Sequence, residues 1–239
     1  MLVTMFKDPK PLNKETDKNL KISPISNFKF ARHTHFLPLS IDEIKEACKH
    51  YPILFLTEKN GDTNISAIPV VILGVKEKEN LFVNKPGEWD SGRYIPLTVR
   101  SYPFSVMLTK DVFSLVFDHG YEGIDDKNGK ALIDESGELS EYGKGILDFV
   151  KITYQGLDVA KNTAKVLIEL NLLKPVDVTM DKDGQKYRIN GLHQVDVEVL
   201  NKLDDESLLK IAKSGTLNLI YGHLISLSNF ENILKKIKK

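Results

Sequence analysis

One cysteine, one tryptophan and no surplus of either charge make a sparse chemical inventory for 239 residues. Cys48 by itself can form no intramolecular disulfide and no cysteine-rich metal site. That fits a reducing compartment, although bacterial surface proteins also do without disulfides. Lys+Arg and Asp+Glu stand at 33 each, so no global field draws the chain to nucleic acid or to an anionic membrane. No apolar run reaches membrane-spanning length. The opening MLVTMFKDPKPLNKETDKNLK holds no apolar core of the kind a secretory signal needs. A cytoplasmic location is the default expectation, with cell-surface association left open. Nucleotide and hydrolase signatures are missing too: no GxGxxG after a strand, no Walker-type loop and no GxSxG elbow. No cofactor is implied.

What is present is an ordinary globular composition, 41% hydrophobic and 28% charged. Residues 1–27, rich in Lys, Asp, Asn and Pro, show no periodicity and are expected to form a mobile arm or a strap across the surface. Residues 28–239 read as one α+β domain, with a mainly antiparallel β N-terminal half packed against a helical C-terminal half. Phe28–Leu39 alternates as a strand would, which puts His33 and His35 on one face. Ser40 and Glu43 form a capping-box pattern that opens a short helix ending near His50. Ile53–Thr57, Ala67–Val75 and Leu81–Asn84 are strand candidates, joined by turns at Asn60-Gly61 and Lys76–Glu79. Ile95–Val99 reads as extended, and Phe104–Leu108 with Val112–Phe117 as a hairpin. Asn128-Gly129 marks a turn before a small strand at Ala131–Ile133.

The period then changes. From Ser140 to Leu173 apolar residues recur every three or four positions, the mark of an amphipathic helix, with a break expected near Gly156. Asp183-Gly184 is a hairpin signal between Val176–Met180 and Gln185–Ile189. Helices are expected over Val195–Leu203 and Asp205–Ser214, the second ending at Gly215. The terminal lysines suit a helix C-terminus or, alternatively, an acidic partner.

The densest stretch for chemistry is Asn80–Phe104, NLFVNKPGEWDSGRYIPLTVRSYPF. Trp89, Arg93, Tyr94, Arg100 and Tyr102 are the candidate ligand-binding set, in which rings stack and a guanidinium reads a carboxylate. The alternative is a salt bridge that fixes the loop. His33, His35 and His119 are candidate metal ligands, set against a surface or structural role. Cys48 reads as a small core residue. Asp181–Gly184 looks like the start of a calcium loop but lacks its closing glutamate, so a polar turn explains it better.

Several stretches together resemble the SapC family of bacterial proteins: YPILFL, IPVVILG, ENLFVNKPGEW, YIPLTVRSYPF, LIDESGELS, the INGL around Gly191 and LIYGHLISL. The likeness runs over residues 28 to 232. It implies a surface-layer-related protein and supplies no catalytic residues. Three functions follow as expectations. The first is a non-enzymatic accessory protein with surface-layer or export partners. The second is a ligand or peptide binder built on Trp89 and Arg100, and the third a histidine metalloenzyme.

Overall fold

The computed structural model describes residues 5–60, 64–125 and 127–237. In chain order the elements are β1 (Pro9–Pro11), β2 (Lys21–Ile22), β3 (Phe36–Pro38), α1 (Ile44–Ala47), β4 (Ile53–Asn60), β5 (Asn64–Ile72) and α2 (Leu97–Ser101). They continue with β6 (Phe104–Thr109), β7 (Val112–Asp118), β8 (Lys130–Ala131), α3 (Glu141–Glu169), β9 (Leu173–Lys182) and β10 (Gln185–Val195). Helices α4 (Val197–Leu200), α5 (Asp205–Lys213), α6 (Thr216–Ser226) and α7 (Phe230–Lys236) close the chain. The fold class is α+β, as expected.

One sheet has the order β3-β5-β4-β10-β9 and a second the order β1-β7-β6, all pairs antiparallel. The C-terminal hairpin therefore completes the N-terminal sheet, with His193 opposite Phe55. Each sheet has its own core. Tyr51, Phe55, Leu37 and Leu219 belong to the larger one, and Phe104, Phe117, Leu132 and Val150 to the smaller. Helix α3 serves both, since Val150 lies in one core and Ala164 and Leu167 in the other.

Four local expectations need correcting. Phe28–Leu39 is not one strand: Lys29–Ala31 is a 3-10 turn and only Phe36–Pro38 pairs, with β5. The turn is fixed from outside, where the Arg32 guanidinium donates to the carbonyls of Asn84 and Lys85. Leu81–Asn84 forms turns and a single bridge, Val83 to Trp89. Ile95–Val99 is not extended, because α2 starts at Leu97 immediately after Pro96, a residue whose fixed φ suits a helix start. Helix α3 does not break at Gly156. A Cβ there would lie 2.0 Å from Ser40 Oγ, so the glycine lets the helix press against the Ser40 loop.

Other readings hold with shifted ends: β5 stops at Ile72, α3 at Glu169, and the helix expected from Val195 covers only Val197–Leu200. The hairpins at Lys110-Asp111 and Asp183-Gly184 form, and Gly215 takes the left-handed φ of 77° after α5. The Asn60-Gly61 turn runs into residues 61–63, outside the described residues, as do Lys238 and Lys239 of the tail. The N-terminal segment takes the strap form of its expectation: β1 pairs with β7, β2 pairs with β8, and Met5 is buried. Among the described residues no helix is long and apolar enough to cross a membrane.

Candidate functional site

The Asn80–Phe104 stretch is organised by groups that lie elsewhere in the chain. Tyr51, fully buried at the end of the α1 segment, accepts a hydrogen bond from Trp89 Nε1 at 3.0 Å and donates its own to the Tyr94 carbonyl. Burial pushes the Tyr51 hydroxyl well above its usual range. Phe28 sits edge-on to the Trp89 ring at 5.7 Å.

Glu43, 2% exposed, is the second organiser. Its Oε1 accepts from the Tyr94 hydroxyl at 3.0 Å and from Leu97 N at 2.6 Å, and its Oε2 accepts from Ser40 N at 2.9 Å. The carboxylate half of the expected capping box thus also caps α2. Burial raises the Glu43 pKa, against the pull of these three bonds and of the Arg100 charge. Tyr94, desolvated and beside that carboxylate, is pushed up to about 12. Arg100 donates to the Tyr94 hydroxyl at 3.2 Å and lies 5.6 Å over its ring. Arg93 meets Asp90 at 3.5 Å, and Lys236 of α7 reaches the same carboxylate at 2.7 Å.

Tyr102 belongs to a different neighbourhood. Its ring stacks on Phe30 with centroids 3.9 Å apart, and Phe6 of the strap meets it edge-on at 5.4 Å. Its hydroxyl bonds to Asp118, which is wholly buried and also accepts from Lys7 N, Asp8 N and Gly120 N at 3.0, 2.7 and 3.1 Å. Burial alone would raise the Asp118 pKa, but these donors together outweigh it and hold it below the usual carboxylate range. The five candidates therefore divide: Trp89, Arg93, Tyr94 and Arg100 gather near Glu43 and Tyr51, while Tyr102 joins the strap. A run of ring contacts through Phe28 and Phe30 links the two groups. Arg100 and Tyr102 also border a cleft of about 190 Å³ with Ile25, Tyr142 and Phe149.

The histidine candidates each have a separate setting. His33 Nδ1 bonds the Lys78 carbonyl, His35 packs edge-on against Phe36, and His119 Nε2 lies 3.2 Å from Asp17. Burial lowers the His35 pKa. No group of three or more His, Cys, Asp or Glu placed to hold a metal occurs among the described residues. Cys48 is buried, and burial raises its thiol pKa.

Sequence reasoning took Glu43 only as a cap and Asp118 only as a possible metal ligand beside His119, and it passed over Tyr51 and His223. His223 is fully buried between sheet and helix, with Nδ1 2.6 Å from the Ile53 carbonyl and Nε2 accepting from Val195 N. Desolvation lowers its pKa to about 4, so it is a neutral structural pin at pH 7. The one available signal was its place in an otherwise apolar run, LIYGHLISL.

The SapC family model matches residues 12–233. The chain belongs to the SapC family. The match takes in all five candidate residues together with Glu43 and Asp118, and starts beyond Phe6 and Lys7 of the strap. No curated protein and no solved structure matches this SapC-family chain.

Proposed function

We propose that this SapC-family protein is a non-enzymatic accessory protein, which works by contacting a component of the bacterial surface layer or of its export route. The carrying observation is the outer face of α6. Tyr221 and Ile225, one turn apart, are 57% and 62% exposed, whereas Leu219, Ile220 and His223 of the same helix are buried. Large apolar side chains held in water on a rigid helix suit a contact surface. The rest of the reading comes from the family, and cell-surface association goes with it.

The test is a purification from the native host of the natural sequence beside a Tyr221→Asp/Ile225→Asp double variant. A surface-layer or export component is expected to accompany the first and be lost from the second. Recovery of no such component, or its retention by the double variant, overturns the proposal.

A second reading, binding of a carboxylate-bearing ligand or peptide, is favoured by Arg100. This residue is exposed, makes its bond to a tyrosine hydroxyl and borders the 190 Å³ cleft. Quenching of the single Trp89 across a panel of carboxylate-terminated peptides would report it. Binding unchanged in Arg100→Ala would remove the clamp.

A further inference from the structure

Helix α2 also borders a larger cavity, of about 460 Å³, on the side where the two sheets approach α3. That volume is in the range of small-molecule sites, roughly 300–1,000 Å³. The apolar part of its walls comes from Ile68 of β5, Phe104 and Val106 of β6, Val150 and Leu157 of α3, and Phe6 of the strap. Half-buried Glu58 and Lys161 and exposed Asp158 also border it, with charges of both signs. The strap therefore helps to build the cavity as well as to cover an edge.

Five hydroxyl-bearing residues line this space, Thr98, Ser101, Ser105, Thr153 and Tyr154, and Thr98, Ser101 and Thr153, on α2 and in the middle of α3, differ in one respect. Ser101 Oγ donates to the Leu97 carbonyl at 2.8 Å, and Thr153 Oγ1 to the Phe149 carbonyl at 3.0 Å. Thr98, only 8% exposed, has an Oγ1 that is buried with no hydrogen-bond partner among the described residues. The reason lies in where it sits. The carbonyl four residues back, which Ser101 and Thr153 each use, belongs for Thr98 to Tyr94. That residue precedes the helix, and its carbonyl already accepts the Tyr51 hydroxyl. Buried hydroxyls are nearly always satisfied, and an orphan beside a cavity of this size is a partner in waiting.

We propose that this cavity is a binding site for a small neutral amphiphile, an apolar body carrying one hydroxyl or carbonyl group, with Thr98 Oγ1 as its polar anchor. The apolar walls take the body. Thr98 Oγ1 is the lining hydroxyl that is fully buried and unmet, which calls for one hydrogen-bonding group, and the bordering charges of Glu58, Asp158 and Lys161 have both signs and favour neither sign of ligand charge. The site is independent of the α6 surface, so the two proposals stand or fall separately.

The test uses the full-length protein with 1-octanol and n-octane as probes, followed through backbone amide resonances. Octanol is expected to shift residues around Thr98, Phe104 and Leu157 and to bind more tightly than octane. Thr98→Val keeps the shape and deletes the hydroxyl. It is expected to weaken octanol by roughly 2- to 10-fold, leave octane unchanged and leave the fold as stable as before. Leu157→Trp fills the cavity and is expected to abolish both shifts. Octanol that shifts no resonance of the cavity, or an octanol-to-octane ratio unmoved in Thr98→Val, would overturn the proposal.

Discussion

Glu43 and Asp118 are both carboxylates with almost no solvent-exposed surface, yet folding moves their proton affinities in opposite directions. Each accepts a tyrosine hydroxyl, from Tyr94 and Tyr102 respectively. The difference is in the backbone. Asp118 collects three N–H donors, two of them from the strap, whereas Glu43 collects two and lies deeper under α2. At Asp118 the bonds to the charged form win; at Glu43 desolvation wins. The Asp118 centre is thus a charge used as a clasp, and the Glu43 centre a charge kept in the interior at a cost.

The largest effect should come from opening the clasp. Asp118→Ala strips the Lys7, Asp8 and Gly120 amides of their acceptor at once. Unsatisfied buried donors cost about 1–3 kcal/mol each, less where water can enter, so a loss of about 3 kcal/mol in chemical denaturation is expected. The strap should also loosen, read as faster trypsin cleavage after Lys7 and Lys14. Native-like protection of those lysines in the variant would mean that β1 pairing alone holds the strap, and the comparison would lose one side.

Glu43→Gln should cost less, about 1–3 kcal/mol, because it swaps one carboxylate oxygen for an amide nitrogen opposite a donor. Its pH signature separates the two centres. The Asp118 pKa is depressed on folding, so its stabilisation is present above the ordinary carboxylate pKa of about 4 and is lost as pH falls through the folded value. The Glu43 pKa is raised, so the folded state holds that proton more tightly, and stability declines as pH rises from the unfolded value through the folded one. Asp118→Asn should therefore flatten the acid limb of the stability profile, and Glu43→Gln the decline on the neutral side of it. Profiles that change in the same direction would show that the two carboxylates are equivalent after all.

Both centres were hard to read from the chain, for a physical reason. The hairpin at Asp183-Gly184 and the 29 residues of α3 are written in local turn chemistry and periodicity, and both form, α3 without the break expected at Gly156. Helix α2 was misread because Leu97 N finds its cap on Glu43, 54 residues earlier. The acceptor role of Asp118 depends on amides 110 and 111 residues away. Trp89 and Tyr94 were picked out by composition, but Tyr51, their shared partner, lay inside a segment that reads only as the lead-in to a strand. The same holds for Thr98, for which the carbonyl four residues back belongs to Tyr94, a residue that lies before α2.

The smallest effects are the most discriminating. Tyr102→Phe and Tyr94→Phe each remove one hydroxyl donor from a buried carboxylate, for about 1 kcal/mol apiece. In both cases the acceptor's pKa should rise, because the bond favours the charged form. At Asp118 the remaining backbone donors keep the group ionised at pH 7, so Tyr102→Phe should only move the acid limb upward in pH. At Glu43 the pKa is already raised and the lost hydroxyl was also the acceptor for Arg100, so Tyr94→Phe should carry the carboxyl further toward neutrality and release the guanidinium. Trp89, which shares Tyr51 with Tyr94, gives the readout: its emission should titrate at higher pH in Tyr94→Phe and be unchanged in Tyr102→Phe. If instead Tyr102→Phe moves the tryptophan signal, the ring contacts through Phe28 and Phe30 couple the two centres, and the clasp and the interior charge act as one unit.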